Sequence, residues 1–295
     1  MAPATIFDLI KKRTVLFDGA MGTELMKRGL PQGVCPEEWN ISRPEALKEI
    51  HRSYYEAGSD AVSTNSFGAN RIKLASHGLE ARCHELNVAA ARIAGEVRPA
   101  GKFVIGDIGP TGKFLKPQGD YTEAAFEEAF AVQAKALAAG LVDFFLIETM
   151  FDLREALCAV RGIRSVSTLP VFVSMTFNRT PRGFFTLMGD SVARCVEALE
   201  TMSVPVIGAN CTLTSSDLAD CIRAMRKMTA KPLVAQPNAG QPELTGGDEV
   251  VYSQSVEDFV KDVPRLVDSG ADIIGGCCGT NPEYIRKSAA ALKLL

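Results

Sequence analysis

The chain repeats one pattern eight times: a short apolar run, a turn with glycine or polar residues, and a stretch with helical periodicity. The runs cover residues 14–18, 60–65, 102–107, 142–148, 170–176, 205–210, 232–236 and 271–275. Near-continuous apolar runs are typical of strands buried on both faces, so the pattern favours a parallel sheet covered by helices. Eight such units with right-handed connections predict an α/β fold, a single (β/α)8 TIM barrel, with an open doubly wound sheet as the alternative.

Length and charge restrict the class further. A barrel of this kind takes about 250 residues, so we expect residues 1–295 to form one domain. The formal charge of -3 gives no basic surplus that would attract nucleic acid or anionic lipid. No window has the ~18 apolar residues of a membrane span, and the N-terminus lacks a secretory signal pattern. We therefore expect a cytoplasmic protein that acts on a small molecule.

Several helix boundaries can be predicted from capping residues. Four side chains are expected to cap or begin helices, namely Ser42 in a capping box with Glu45, Thr122, Asp152 and Asp190. Gly58 is expected to close the first of these helices in a left-handed conformation, and the helix after Thr122 is expected to run to Gly140.

Polar residues concentrate where the predicted strands end. They are Asp18, Asn65, Asp107, Glu148, Asn210, Cys211, Asn238, Cys277 and Cys278. In a barrel the carboxyl ends of all strands meet at one mouth, where active sites are built. These residues are therefore the candidates for a functional site.

Three of the eight cysteines predict a zinc site. Cys211 ends the sixth strand and Cys277 and Cys278 end the eighth, so their sulfurs can meet across the seventh. Catalytic zinc typically has three protein ligands and an open fourth position, whereas structural zinc is closed by a fourth. Three thiolates leave zinc a weak Lewis acid, which suits binding a substrate thiol as thiolate for attack on an electrophilic methyl group.

Each of these residues also has a purely structural interpretation. Cys158, Cys195 and Cys221 lie on apolar helix faces and are read as small buried residues, and Cys35 before Pro36 is ambiguous. Cys277 and Cys278 are alternatively a vicinal disulfide. Asp18 and Glu148 are alternatively helix caps or salt-bridge partners, and the sequences DGAMGT and DIGPTG are alternatively phosphate cradles.

The motifs DGAMGTEL, GVCPEEWNISRPE, TNSFGANRIKLASHGLE, GDIGPTGK, IETM, ANC, PNAG and GGCCGTNPEYIR occur in this order over nearly the whole chain. They resemble the homocysteine S-methyltransferase family, and within it the N-terminal homocysteine-binding barrel of cobalamin-dependent methionine synthase. The resemblance implies zinc at Cys211, Cys277 and Cys278 as the catalytic centre. It also implies that Asp18 and Glu148 bind the amino group of homocysteine and that Asn238 can occupy the metal before substrate arrives.

The methyl donor is left open by the sequence. The resemblance implies a methylcorrinoid carried by a separate protein, and we expect the segment 178–190, with Arg179, Arg182, Phe184 and Phe185, to contact it. Within it, residues 183–190 (GFFTLMGD) replace the family's usual loop after strand 5, a departure that concerns recognition of the donor or partner and not the metal. The alternatives are a different thiol or selenol acceptor, a small donor such as S-methylmethionine or betaine, or a zinc-binding interaction module without this activity.

Overall fold

The computed structural model of the protein describes residues 5–244 and 250–294. Eight parallel strands form one sheet: β1 (Val15–Leu16), β2 (Ala61–Ser63), β3 (Phe103–Ile108), β4 (Phe144–Met150), β5 (Val171–Met175), β6 (Val206–Asn210), β7 (Leu233–Gln236) and β8 (Ile273–Ile274). From β2 to β8 each strand pairs with the next, and β8 pairs with β1. A parallel bridge from Phe17 to Ala61 closes the sheet between β1 and β2. The predicted (β/α)8 barrel is confirmed, and the open sheet is excluded.

The helices between the strands complete the barrel. They are α1 (Ile6–Ile10), α2 (Met21–Lys27), α3 (Trp39–Ser42), α4 (Pro44–Glu56), α5 (Arg71–Leu74), α6 (Cys83–Glu96), α7 (Glu123–Ala139), α8 (Leu153–Arg164), α9 (Val192–Thr201), α10 (Ser215–Arg226), α11 (Val256–Asp268) and α12 (Pro282–Ala291), with 3-10 turns at Pro36–Glu38, Ala75–His77 and Glu80–Arg82. No helix among the described residues has the length and apolar character needed to cross a bilayer.

Two antiparallel hairpins follow barrel strands. The first pairs Asn178–Thr180 with Gly183–Phe185 after β5, and the second pairs Pro242–Leu244 with Val250–Tyr252 after β7. Both lie on the side of the barrel where active sites are built.

The barrel interior is filled by aromatic side chains rather than by a channel. Phe144 stacks on Phe172 with ring centroids 4.6 Å apart, and Phe17 packs against Phe144 at 5.9 Å. From α1, Phe7 contacts Phe172 edge to face at 5.8 Å, and Ile6 is buried in the same cluster. This short N-terminal helix therefore covers the bottom of the barrel and leaves the opposite end for chemistry.

Most predicted helix boundaries are confirmed. Thr122 accepts a hydrogen bond from Ala125 N at 3.2 Å, and the helix it caps ends at Gly140. Asp152 accepts from Arg154 N at 2.8 Å. Gly58 has a φ of 108°, in the left-handed region that favours glycine.

Two predicted caps are wrong. Ser42 is the last residue of α3, and its hydroxyl donates to the Glu38 carbonyl, so it does not cap α4 and forms no capping box with Glu45. The helix α9 is capped one residue later than predicted, by Ser191, while Asp190 pairs with Arg194 at 3.0 Å. At α9 the neighbouring Ser191 takes the capping role, whereas at α4 the N-cap is Arg43 and no side chain caps the helix.

Candidate metal centre and substrate cavity

Three cysteine sulfurs converge at the mouth of the barrel. The sulfurs of Cys211, Cys277 and Cys278 all lie within 4.8 Å of one another, and those of Cys277 and Cys278 are 3.9 Å apart. Cys211 is the first residue after β6, whereas Cys277 and Cys278 follow β8. The parallel strands on either side of β7 thus deliver the sulfurs to one point.

A strained turn aims Cys211 at the other two sulfurs. Cys211 and Thr212 both have left-handed backbone conformations, with φ of 63° and 51°. Such conformations cost of order 1–2 kcal/mol for residues other than glycine and persist where surrounding contacts enforce them. Cys211 N donates to Gln236 O at 3.1 Å, and Thr212 Oγ1 donates to Phe177 O at 2.7 Å. These contacts to β7 and to the end of β5 hold the turn.

The thiols influence one another strongly. Hydrogen bonds from Cys211 and then Cys277 lower the pKa of Cys278 to about 3, against the opposing effect of burial. The same contacts, first with Cys211 and then with Cys278, raise the pKa of Cys277 well above its ordinary value. One sulfur of the cluster therefore carries negative charge readily, which is the behaviour expected of a soft-metal site.

A cavity of about 250 Å³ opens beside the sulfurs. Three carboxyl groups line it, those of Glu37, Asp107 and Glu148, and no lysine or arginine does so among the described residues. Asp18 lies directly behind this wall, where it accepts hydrogen bonds from Ser63 N at 2.7 Å and Ser63 Oγ at 3.1 Å. Acidic side chains therefore line the cavity or lie against its wall.

Burial makes the carboxyl groups of Asp18, Asp107 and Glu148 poor acids. It raises the pKa of Asp18 to about 7, although the hydrogen bonds from Ser63 oppose the shift. Burial, and next the facing Glu148 carboxyl, raise the pKa of Asp107 well above its ordinary value. Burial also raises the pKa of Glu148. An incoming ammonium group would supply the missing positive charge and favour ionised carboxylates here.

A bulge in β4 turns Glu148 into the mouth. Ile147 pairs with Val173 and Met150 pairs with Met175, so two residues of β4 oppose one residue of β5. Between them Thr149 has a left-handed φ of 58°. Bulges of this kind re-aim side chains next to active sites, and here both bulged residues line the cavity.

The other residues singled out from the sequence take different places. Asn238 is buried and its Oδ1 has no hydrogen-bond partner, but it does not line the cavity. Cys158, Cys195 and Cys221 are fully buried on α8, α9 and α10, as predicted for structural cysteines. Cys35 is also buried, and its thiol donates to Glu37 at 3.0 Å.

Sequence reasoning missed two cavity residues. Glu37 accepts a hydrogen bond from Gly68 N at 2.6 Å and is held in the wall between two loops. Gln236 ends β7, lines the cavity and has an unpartnered buried Oε1. The position of Gln236 at a strand end was a usable signal, since every barrel strand points its carboxyl end at the mouth.

The donor set fits a zinc ion. Three cysteine sulfurs at short mutual distance, with no histidine in the cluster, match soft thiolate ligation. The cavity beside them offers room for a substrate group as a further ligand. By fold and site, the molecule is thus a (β/α)8-barrel protein of enzyme type with a candidate three-cysteine metal centre.

Comparisons with known proteins identify the family. The family model described as homocysteine S-methyltransferase matches residues 15–292. Methionine synthases of Mycobacterium tuberculosis and Mycobacterium leprae are each 32% identical over 97% of this chain, which spans about a quarter (25%) of their length. The metallated form of the homocysteine methyltransferase MmuM from Escherichia coli superposes with a TM-score of 0.80 at 26% identity, covering 96% of this chain and 98% of that one. The chain belongs to the homocysteine S-methyltransferase family.

Proposed function

We propose that this chain transfers a methyl group to homocysteine, giving methionine, at a zinc site formed by Cys211, Cys277 and Cys278. The observation that carries the proposal is the convergence of three sulfurs within 4.8 Å beside an acidic cavity, in a member of this family. When bound, zinc would hold the substrate sulfur as a nucleophilic thiolate at neutral pH. Residues 1–295 would then form one homocysteine-binding barrel domain.

The protein groups would bind the amino acid part of the substrate. Glu148 and Asp107 face the cavity, and Asp18 lies behind them, so the substrate ammonium would be attracted to this side. The substrate carboxylate would lie at the start of α2, where Met21 and Gly22 line the cavity and no side chain caps the helix. Free N–H groups of a first helical turn are favourable partners for an anion.

For the methyl donor we favour a methylcorrinoid carried by a separate protein. The similarity to methionine synthases supports this choice. Four of the exposed large apolar residues lie in segments that follow barrel strands, namely Val34, Phe114, Leu187 and Val251. Exposed apolar residues grouped around an active-site mouth suit contact with a macromolecule rather than with a small donor alone.

One observation favours a second candidate. Three carboxyl groups line the cavity, which exceeds what a single ammonium group requires. A small cationic donor, such as a sulfonium or quaternary ammonium compound, would find complementary charge there. An assay with homocysteine and, in turn, methylcobalamin, S-methylmethionine or betaine separates the candidates. Full activity with a small cationic donor and none with methylcobalamin would reject the corrinoid proposal.

The metal site is tested by measuring the zinc content of purified variants. We expect about one zinc per chain, lost when Cys211, Cys277 or Cys278 is replaced by alanine. The matched controls Cys158→Ala, Cys195→Ala and Cys221→Ala, on helices outside the site, should retain zinc. Metal analysis of the purified variants measures this. If a control cysteine proved essential for zinc binding and Cys211 did not, the assignment would be refuted.

A further inference from the structure

One buried amide connects the two ends of the proposed substrate site. Asn210, the last residue of β6, is fully buried, and its Oδ1 accepts from Thr149 N and Ser174 Oγ, both at 2.9 Å. Its Nδ2 donates to Glu148 Oε2 at 2.6 Å and to Thr149 Oγ1 at 2.8 Å, and lies 3.7 Å from Cys277 Sγ. Because a backbone N–H faces Oδ1, the network itself fixes which way the amide points.

Two of the groups that Asn210 contacts, Glu148 and Cys277, would bind opposite ends of an aminothiol. Glu148 lines the cavity on the side proposed for the ammonium group, whereas Cys277 belongs to the sulfur cluster. They come from different strands, and Asn210 is a third, rigid group that touches both. The separation between them is therefore set by a side chain without freedom to move.

We infer that Asn210 is a positioning residue that fixes Glu148 relative to Cys277 and thereby sets the length of the aminothiol that the site accepts. The inference rests on the proposed function and extends it to substrate selection. Homocysteine exceeds cysteine by one methylene, and a fixed separation favours the molecule whose length matches it, which in the proposed function is homocysteine. One methylene is typically worth about 10-fold to 200-fold in discrimination, so the effect is measurable.

Two variants of Asn210 separate its donor side from its acceptor side. Asn210→Asp keeps the shape and the oxygen that faces Thr149 and Ser174, but places an oxygen against Glu148 and Cys277, where it repels both. Asn210→Ala removes both sides. The matched control is Ser174→Ala, which deletes one hydrogen bond to Oδ1 and leaves both donor contacts in place.

Calorimetric titration of the zinc-loaded proteins with homocysteine and with cysteine is the test. We expect both Asn210 variants to bind homocysteine more than about tenfold more weakly and to prefer it over cysteine by less than about threefold. Ser174→Ala should keep the preference of the wild type. A purely structural role would weaken both thiols equally, so an unchanged preference in folded Asn210→Asp would overturn the inference.

A second measurement does not depend on substrate. In cobalt-substituted protein, loss of the N–H contact to Cys277 makes that sulfur a stronger electron donor, and the sulfur-to-cobalt charge-transfer band should move to longer wavelength in Asn210→Asp. Ser174→Ala should leave the band in place, and an unshifted band in Asn210→Asp would contradict contact with the sulfur. If the zinc-loaded wild type bound neither thiol, the proposed function would fail, and the inference with it.

Discussion

At the scale of single residues, His51 shows how burial links stability to pH. It lies on α4, is fully buried, and neither ring nitrogen has a hydrogen-bond partner. Burial lowers its pKa from 6.5 to about 4. The folded protein therefore keeps this imidazole neutral at pH values at which the unfolded chain already binds a proton.

We expect this difference to destabilise the protein as the pH falls. The stability that depends on neutral His51 is fully present above pH 6.5. It is lost progressively as the pH falls to the folded pKa of about 4, where the loss amounts to about 3 kcal/mol. His51→Leu has no titrating group, so its free energy of unfolding should gain about this amount relative to the wild type between pH 7 and pH 4. Urea unfolding at the two pH values measures the change. If the free energy of unfolding changed equally in the wild type and in His51→Leu, the expectation would be contradicted.

Single residues also show where sequence reasoning stops. The positions of Cys211, Cys277 and Cys278 followed from strand order alone, because parallel strands end at one edge. Glu37 was not assigned, since its wall position depends on a hydrogen bond to Gly68, 31 residues away in another loop. The contacts of Asn210 with Glu148 likewise join residues 62 apart. Pattern and spacing do not specify contacts between loops or across a bulge.

At the scale of elements, the segment after β5 forms a hairpin that its sequence does not predict. Asn178–Thr180 pairs with Gly183–Phe185. Gly183, next to the turn, has a left-handed φ of 116°. Arg179 donates to Asp217 and Asp220 of α10, while the guanidinium of Arg182 lies 5.6 Å from the centroid of the Phe185 ring. Arg179 therefore anchors the hairpin, and Arg182 is the arginine left for an incoming partner.

We expect the hairpin to contribute to binding of a methylated corrinoid protein. Replacing Arg182, Phe184 and Phe185 together by alanine should raise the apparent KM for that protein more than about fivefold, because aromatic and arginine side chains dominate many interfaces. Homocysteine affinity and zinc content should not change.

The control replaces Val166 and Met228 by alanine. These are exposed apolar residues that follow α8 and α10, at the opposite end of the barrel. Equal KM values for the hairpin variant and this control, in steady-state kinetics with the carrier protein varied, would argue against the contact.

At the scale of the whole molecule, the barrel is closed by short strands and few backbone contacts between β1 and β2. The first and last strands have two residues each, and the seam between β1 and β2 consists of the Phe17 to Ala61 bridge and a bond from Asp60 N to Leu16 O at 2.6 Å. The eight strands and their order were predictable from apolar runs buried on both faces. Closure into a barrel was predicted from the number of βα units, but the residues of the seam were not, because so short a seam leaves no sequence pattern of its own.

The Asp60 carboxylate reinforces this seam. It accepts hydrogen bonds from Arg13 at 2.8 and 2.9 Å, from Lys102 at 2.9 Å and from Leu16 N at 3.0 Å. Asp60 is buried, whereas Arg13 and Lys102 are partly exposed. Losing hydrogen bonds to charged groups typically costs about 1.5–3 kcal/mol, so Asp60→Ala should lower the free energy of unfolding by about this amount. Glu257→Gln, which breaks an exposed pair with Lys287, should cost much less. Denaturant titration compares them, and equal losses would show that Asp60 does not stabilise the seam.

Because the three sulfurs follow strands on both sides of β7, they are synthesised at different times. Cys277 follows Asn210 by 67 residues, and at typical ribosomal rates this interval takes roughly 3 to 13 s. During that time Cys211 is a single thiol on an unfinished barrel, without the two sulfurs that complete a chelate. In the proposed function, metal uptake by all three cysteines would therefore follow translation of β8 and the two cysteines after it, so that loading would report the completion of this barrel strand.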